Sequence, residues 1–204
     1  MHKLFSLFLT VTMGIVLTAC GANNATPSKN DKPAVNQTTG VDSSDYVTLK
    51  NYQNIKVGAY QTGNGGSTAT QVTNWMGNPA SKSKVTVPGT KKTAIRYTWG
   101  NTAASFNAAS VSVQFLNGKV IGKGYAAQKD NAKLVNSARL NSIQNGANYH
   151  QVVSRLGTPN AESLIGTGKV SAKQLTYVIN KDGGAVNLTF NGDKLKSKTN
   201  TTIN

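Results

Sequence analysis

The 204-residue chain carries 22 Lys+Arg against 7 Asp+Glu, a formal charge of +15, and it has one cysteine. A lone thiol excludes an intramolecular disulfide and a multi-thiolate metal site, while 7% aromatic residues and 20 glycines imply a modest core with plentiful loops. The cations imply an anionic setting, or simply keep the protein soluble beside one; scattered without an Arg-rich run or interleaved aromatics, they do not suggest nucleic acid as a partner.

At the N-terminus, Met1 to Lys3 is positively charged, and Leu4 to Leu17 is an apolar run broken only by Ser6, Thr10, Thr12 and Gly14. That run is short for a membrane span and of the right length for a signal-peptide core. It ends in Leu-Thr-Ala-Cys-Gly, which resembles the lipobox of bacterial lipoproteins. The resemblance implies a lipoprotein signal peptide over 1–19, cleavage before Cys20, and a diacylglyceryl group on the Cys20 sulfur that anchors the chain to the extracytoplasmic face of the cell membrane. Two acyl chains matter because each buried methylene contributes about 0.8 kcal/mol and one chain alone holds only marginally. The alternatives are an uncleaved membrane helix or a buried free cysteine. In such a place the available polyanions are lipid head groups and anionic wall polymers. Residues 20–44 are rich in Asn, Thr, Ser, Lys and Pro and cannot bury enough surface to fold, which makes them a disordered tether.

From Asp45 onward four blocks recur in the same order. The first copy, 45–130, has "YQNIKVG", "QVTNWMGNP", "TAIRYTW" and "SVSVQFLNGKVIGK"; the second, 131–204, has "LNSIQNG", "QVVSRLGTP", "KQLTYVI" and "AVNLTFNGDKLKSK". Short helices are expected around Val47 to Ile55 and Lys133 to Ile143. Tyr149, Val152, Val153 and Leu156 fall at i, i+3, i+4 and i+7, one face of a helix that Gly157 caps and Pro159 ends. Ala69, Val72, Met76, Gly77 and Pro79 repeat the logic. Period-two segments follow, Ile95-Tyr97-Trp99 and Val111-Val113-Phe115, then Leu175-Tyr177-Ile179 and Val186-Leu188-Phe190, which predict half-buried strands. "LNGK" and "NGDK" read as hairpin turns that lead into further strands at Val120-Ile121 and Leu195.

This arrangement, with its helix ending Val-x-x-x-(Leu/Met)-Gly-x-Pro, tyrosine-bearing strand and Phe-containing hairpin, resembles the repeat of beta-lactamase inhibitory protein (BLIP). It is similar too to the SmpA/OmlA outer-membrane assembly lipoproteins. The resemblance implies an α+β fold of two tandem BLIP-like repeats, each with two helices packed on a three- to four-stranded antiparallel sheet, and it leaves open whether the two sheets join. It implies binding rather than catalysis: a membrane-anchored envelope lipoprotein that binds a protein or an anionic envelope polymer, with inhibition of a serine beta-lactamase or another penicillin-recognising enzyme as the alternative.

Catalytic constellations are scarce, and no cofactor is expected. His2 leaves with the signal peptide, so His150 has no histidine partner for a metal. One glutamate, Glu162, and scattered aspartates form no local carboxylate pair. "SKSK", Ser81 to Lys84, matches Ser-x-x-Lys by accident, in a loop between helix and strand without the companion motifs. The glycine-rich "QTGNGGSTA" lacks the strand and the Gly-Lys-Ser/Thr of a phosphate loop, and reads as an ordinary loop. Strand positions that alternate away from the core are expected to line an open sheet face. They are Arg96, Thr98, Ser112 and Gln114, then Thr176, Asn187, Thr189, Lys196 and Lys198. Together they predict a polar, cationic surface suited to an acidic or glycan-like partner, or a merely solvated face. Trp75 is either a partly buried core residue or an interface anchor.

Overall fold

Thr68 and Asn148 start two helices in the same way. Each side chain accepts from the backbone N–H three residues on, Gln71 or Gln151, whose own side chain accepts from the cap N–H. The helices they open, α2 (Ala69–Met76) and α4 (Tyr149–Leu156), both end at a glycine of positive φ, Gly77 at 73° and Gly157 at 84°. The computed structural model describes residues 46–128 and 130–203. The expected signal peptide, the expected lipidation at Cys20 and the expected tether lie outside the described residues. Two shorter helices, α1 (Leu49–Asn54) and α3 (Ser137–Asn141), precede α2 and α4.

Eight strands form one antiparallel sheet in strictly sequential order: β1 (Ser81–Thr86), β2 (Thr93–Trp99), β3 (Ala108–Leu116), β4 (Lys119–Ala127), β5 (Ala161–Ile165), β6 (Ala172–Val178), β7 (Gly184–Asn191) and β8 (Lys194–Thr202). This corrects the expected fold class, since two tandem repeats with a small sheet each do not describe the molecule. The strand β4 pairs with β5 from Gly122↔Ile165 to Tyr125↔Glu162, so the sheet runs through the junction. The helices on it are only five to eight residues long. Pairing across the junction satisfies backbone groups that two separate sheets would leave as open edges. The remaining edges, β1 and β8, carry Lys82 and Lys84, and Lys194, Lys196 and Lys198, charges that discourage further strand addition. A second correction falls on "SKSK", which is not a loop: Ser81 to Lys84 opens β1 and pairs with Thr98 to Ile95.

The core lies on the helix side. Val47, Tyr52, Val72, Met76, Trp99, Val111, Val113 and Phe115 form one cluster, and Leu140, Ile143, Val152, Leu175, Tyr177, Leu188, Phe190 and Leu195 another. Trp99 is fully buried and its Nε1 donates to Gly77 O at 3.0 Å, which locks the end of α2 onto β2. A smaller cluster of Val87, Ala94, Leu116 and Ile121 packs with Tyr60 at one end of the sheet. The glycine-rich segment closes that end, because a Cβ on Gly66 would sit 2.3 Å from Val120 O and one on Gly58 2.4 Å from Gly63 O. Its glycines serve close backbone packing.

Candidate functional site

Side chains directly opposite on paired strands share a face, so the register fixes what each side of the sheet presents. Away from the helices one row crosses the whole sheet: Ser81, Thr98, Ser112, Gly124, Ser163, Gln174, Thr189 and Ser197. A neighbouring row runs Ser83, Arg96, Gln114, Gly122 and Ile165. On the other side of the first row Thr176 Oγ1 donates to Asn187 Oδ1 at 2.7 Å. Arg96, Thr98, Ser112, Gln114, Thr176, Asn187 and Thr189 therefore share one face of the sheet, although Gln114 is buried there. Gly122 and Gly124 are the β4 positions on this face; both are buried, and a Cβ on Gly122 would meet Leu164 O at 3.1 Å and the Ile165 side chain at 3.5 Å, so neighbouring strands close over them. This glycine pair was missed in the sequence, although "IGKGYA" alternates glycine with Lys123 and Tyr125.

The surface differs from the expectation in charge. A register shift between Thr189 and Phe190 places Lys196 outside the one-to-one pairing. Beyond the shift Lys198 pairs with Leu188 on the helix side, and its Nζ donates to Ile143 O at 2.8 Å, at the end of α3. Lys198 is thus a helix-end cap rather than a face residue. Lys123 does the same in the other half of the sheet, with Nζ donating to Tyr52 O at 2.9 Å and Ile55 O at 3.0 Å. Lys82 lies over the Tyr97 ring and Lys173 over that of Tyr149. Up to Ile165 and Ser197 the rows are neutral apart from Arg96, a half-buried side chain whose Nε is buried without a hydrogen-bond partner. Trp75 is half-buried against the first core cluster, so packing accounts for it.

Where the two core clusters meet, the helix side holds a polar group that the sequence reading passed over. Glu162, the sole glutamate of the chain, projects from β5 and is 6% exposed. Its Oε1 accepts from Tyr52 OH of α1 at 2.8 Å and its Oε2 from Tyr149 OH of α4 at 2.7 Å. Burial first, then the Glu162 charge and hydrogen bond, hold both phenols above the ordinary tyrosine range. Burial pushes the Lys123 ammonium down to about 8, against the opposing pull of Glu162. Tyr125 OH donates to Pro159 O at 2.8 Å and stacks edge-on against Tyr52, with centroids 5.1 Å apart. Each oxygen of the carboxylate is occupied and the group is shut off from solvent, so the arrangement clamps helices rather than receiving a substrate. His150 is exposed beside Tyr149. Among the described residues no cluster of three or more His, Cys, Asp or Glu could hold a metal. Among the same residues no helix is long and apolar enough to cross a membrane.

A family model described as "Domain of Unknown Function with solved-structure structure (DUF3862)" matches residues 45–203. Among solved structures the chain is similar to a "putative beta-lactamase inhibitor protein" from Streptococcus mutans, at 20% identity and a TM-score of 0.56, covering 74% of this chain and 92% of that one. No curated protein matches.

Proposed function

The chain belongs to the DUF3862 family of domains of unknown function, and we propose that it works as a non-catalytic binding module of the cell envelope, anchored through lipid on Cys20 and engaging a protein through the helix-free face of its sheet. One observation carries the reading: a row of small hydroxyl and amide side chains runs across the sheet on its helix-free face, interrupted only at β4 by Gly124. Such a surface is held in shape by backbone pairing on both sides of every inner strand. Binding to it orders few long side chains, which lowers the entropic cost of association. Arg96 supplies the charge that orients an acidic group of the partner.

The test is retention of envelope proteins by the immobilised protein. Ser112→Trp and Thr189→Trp fill the face and are expected to abolish retention while the thermal midpoint holds; undiminished retention refutes the face. Cys20→Ser is expected to move the protein from the membrane to the soluble fraction, and unchanged fractionation refutes the anchor.

A second reading is an inhibitor of a serine beta-lactamase or related penicillin-recognising enzyme. What favours it is the likeness in fold to the Streptococcus mutans protein. Titration of such enzymes with micromolar protein decides it, since undiminished turnover removes the inhibitor reading and leaves the binding module standing.

A further inference from the structure

A depression of about 520 Å³ lies where the first turn of α4, the β5–β6 connection and the β7–β8 hairpin meet. Of its lining residues Asn191 continues the Gly122–Ile165 row, through Ala172, and Lys194 ends it. Three cations border it, Lys169, Lys173 and Lys194, together with His150, and one acid, Asp193. The Asp193 carboxylate pairs with Lys173 Nζ at 2.9 Å and Lys173 also leans over the Tyr149 ring. Lys169 and Lys194 are exposed and have no acidic partner among the described residues, so their charge is uncompensated at the mouth.

The walls are tied together by backbone. Gly192 N–H donates to Ser171 O at 2.7 Å, and Ser171 Oγ donates to Gly168 O at 2.8 Å and Gly192 O at 3.2 Å. Tyr149 N–H donates to Asp193 O at 3.2 Å and Leu195 N–H to Ala147 O at 2.8 Å. The lysines therefore project from a rim whose geometry is fixed before any ligand arrives. Val170, next to Lys169 in the chain, is 76% exposed.

We propose that this depression binds the phosphate group of a phosphodiester, with Lys169 and Lys194 as its principal ligands. Compact ammonium charges borne by two loops around one depression suit a tetrahedral anion, whereas planar carboxylates are better met by the fork of an arginine. The volume of about 520 Å³ admits a phosphate with its attached glycerol-sized group. The positive end of α4 adds to the attraction. This goes beyond the protein-binding face, and its ligands Lys169 and Lys194 are not the Ser112 and Thr189 that test that face, so each stands or falls alone.

The full chain is titrated with glycerol 3-phosphate, with a soluble poly(glycerol phosphate), and with vesicles of phosphatidylcholine containing or lacking phosphatidylglycerol. Lys169→Gln/Lys194→Gln is expected to weaken phosphate binding roughly tenfold or more. A control of equal charge, Lys50→Gln/Lys181→Gln at exposed sites, is expected to stay within about twofold of the parent. Binding of the polymer without vesicle retention assigns the site to a polymer phosphodiester. Retention on the phosphatidylglycerol vesicles alone assigns it to a lipid head group, provided the first double variant abolishes it. Equal weakening by both double variants, or no saturable binding of any probe, overturns the proposal.

Discussion

Replacing Glu162 by Gln tests the clamp between the two helix pairs. The carboxylate accepts from Tyr52 at 2.8 Å and Tyr149 at 2.7 Å, and hydrogen bonds to a charged group contribute about 1.5–3 kcal/mol each. An amide keeps one uncharged acceptor and turns a donor toward the second hydroxyl, so one charge-assisted bond is weakened and the other is replaced by a neutral one that leaves the phenol proton without its acceptor. Lys123 also loses the charge that favours its ammonium. Glu162→Gln is expected to cost roughly 2–4 kcal/mol in urea unfolding, which for a domain of this size lowers the thermal midpoint by about 4–16 °C. The double variant Tyr52→Phe/Glu162→Gln is expected to cost less than the sum of the singles by at least about 0.5 kcal/mol, because each single change strands the other group. A Glu162→Gln protein within about 0.5 kcal/mol of the parent, or strictly additive singles, refutes the clamp.

Stability is expected to rise between about pH 8 and 10 and to fall above 10. Folded Lys123 releases its proton near 8 while the unfolded lysine keeps it, so the burial penalty is relieved on the way up. The raised phenols of Tyr52, Tyr125, Tyr149 and Tyr177 stay protonated in the fold where unfolded tyrosines ionise, and their contribution is lost as pH climbs past 10. Urea midpoints from pH 6.5 to 11 read this directly, and a curve that falls from pH 8 contradicts it. Gly66→Ala drives a Cβ into Val120 O and is expected to cost more than about 2 kcal/mol, whereas Gly100→Ala meets open space and stays within about 0.5 kcal/mol. Equal thermal midpoints for these two alanine variants would dismiss the packing role of the glycine-rich segment. Trp99→Phe is expected to lose about 2–3 kcal/mol in urea unfolding through the bond to Gly77 O and the vacated volume, and Trp75→Phe less than about 1 kcal/mol; the reverse order would make Trp75 the core residue.

The parts of the fold legible in the sequence are those with a strong local signal. The helices α2 and α4 announce themselves by apolar spacing and a glycine forced to positive φ, and the inner strands by alternating Val, Tyr, Trp and Phe. The strands β1 and β5 carry no such pattern: "SKSKVT" is almost wholly exposed at an edge, and "AESLI" alternates a buried glutamate with small and apolar side chains. Their pairing is decided by the neighbours' unsatisfied backbone, which periodicity does not record. The continuity of the sheet was hidden for the same reason, since it depends on β4 meeting β5 across a connection that contains α3 and α4. The face of Lys198 was misread because a single register irregularity inverts every later assignment on the strand. A period-two argument holds only up to the first bulge.

That sensitivity explains why a buried carboxylate sits on β5. The strand is short, with a side chain for each face at alternate positions: Glu162 and Leu164 toward the helices, Ala161, Ser163 and Ile165 toward the open rows. Apolar burial alone would hold its register weakly, because Ile165 on one side and Leu164 on the other are of nearly equal size and hydrophobicity. Sliding β5 by one residue would carry Glu162 to the open face, strip two phenols of their acceptor and lay Ser163 among Tyr52, Tyr125 and Tyr149. The clamp therefore fixes the register that keeps Ser163 in line between Gly124 and Gln174, and with it the alignment of the open rows on either side of the junction. On this argument Glu162→Gln, a change on the far side of the sheet, loosens the binding face as well as the fold. Hydrogen exchange reads the coupling: the Ser163 and Leu164 amides are expected to lose protection before those of Val113 and Leu188, which lie inside the two apolar clusters.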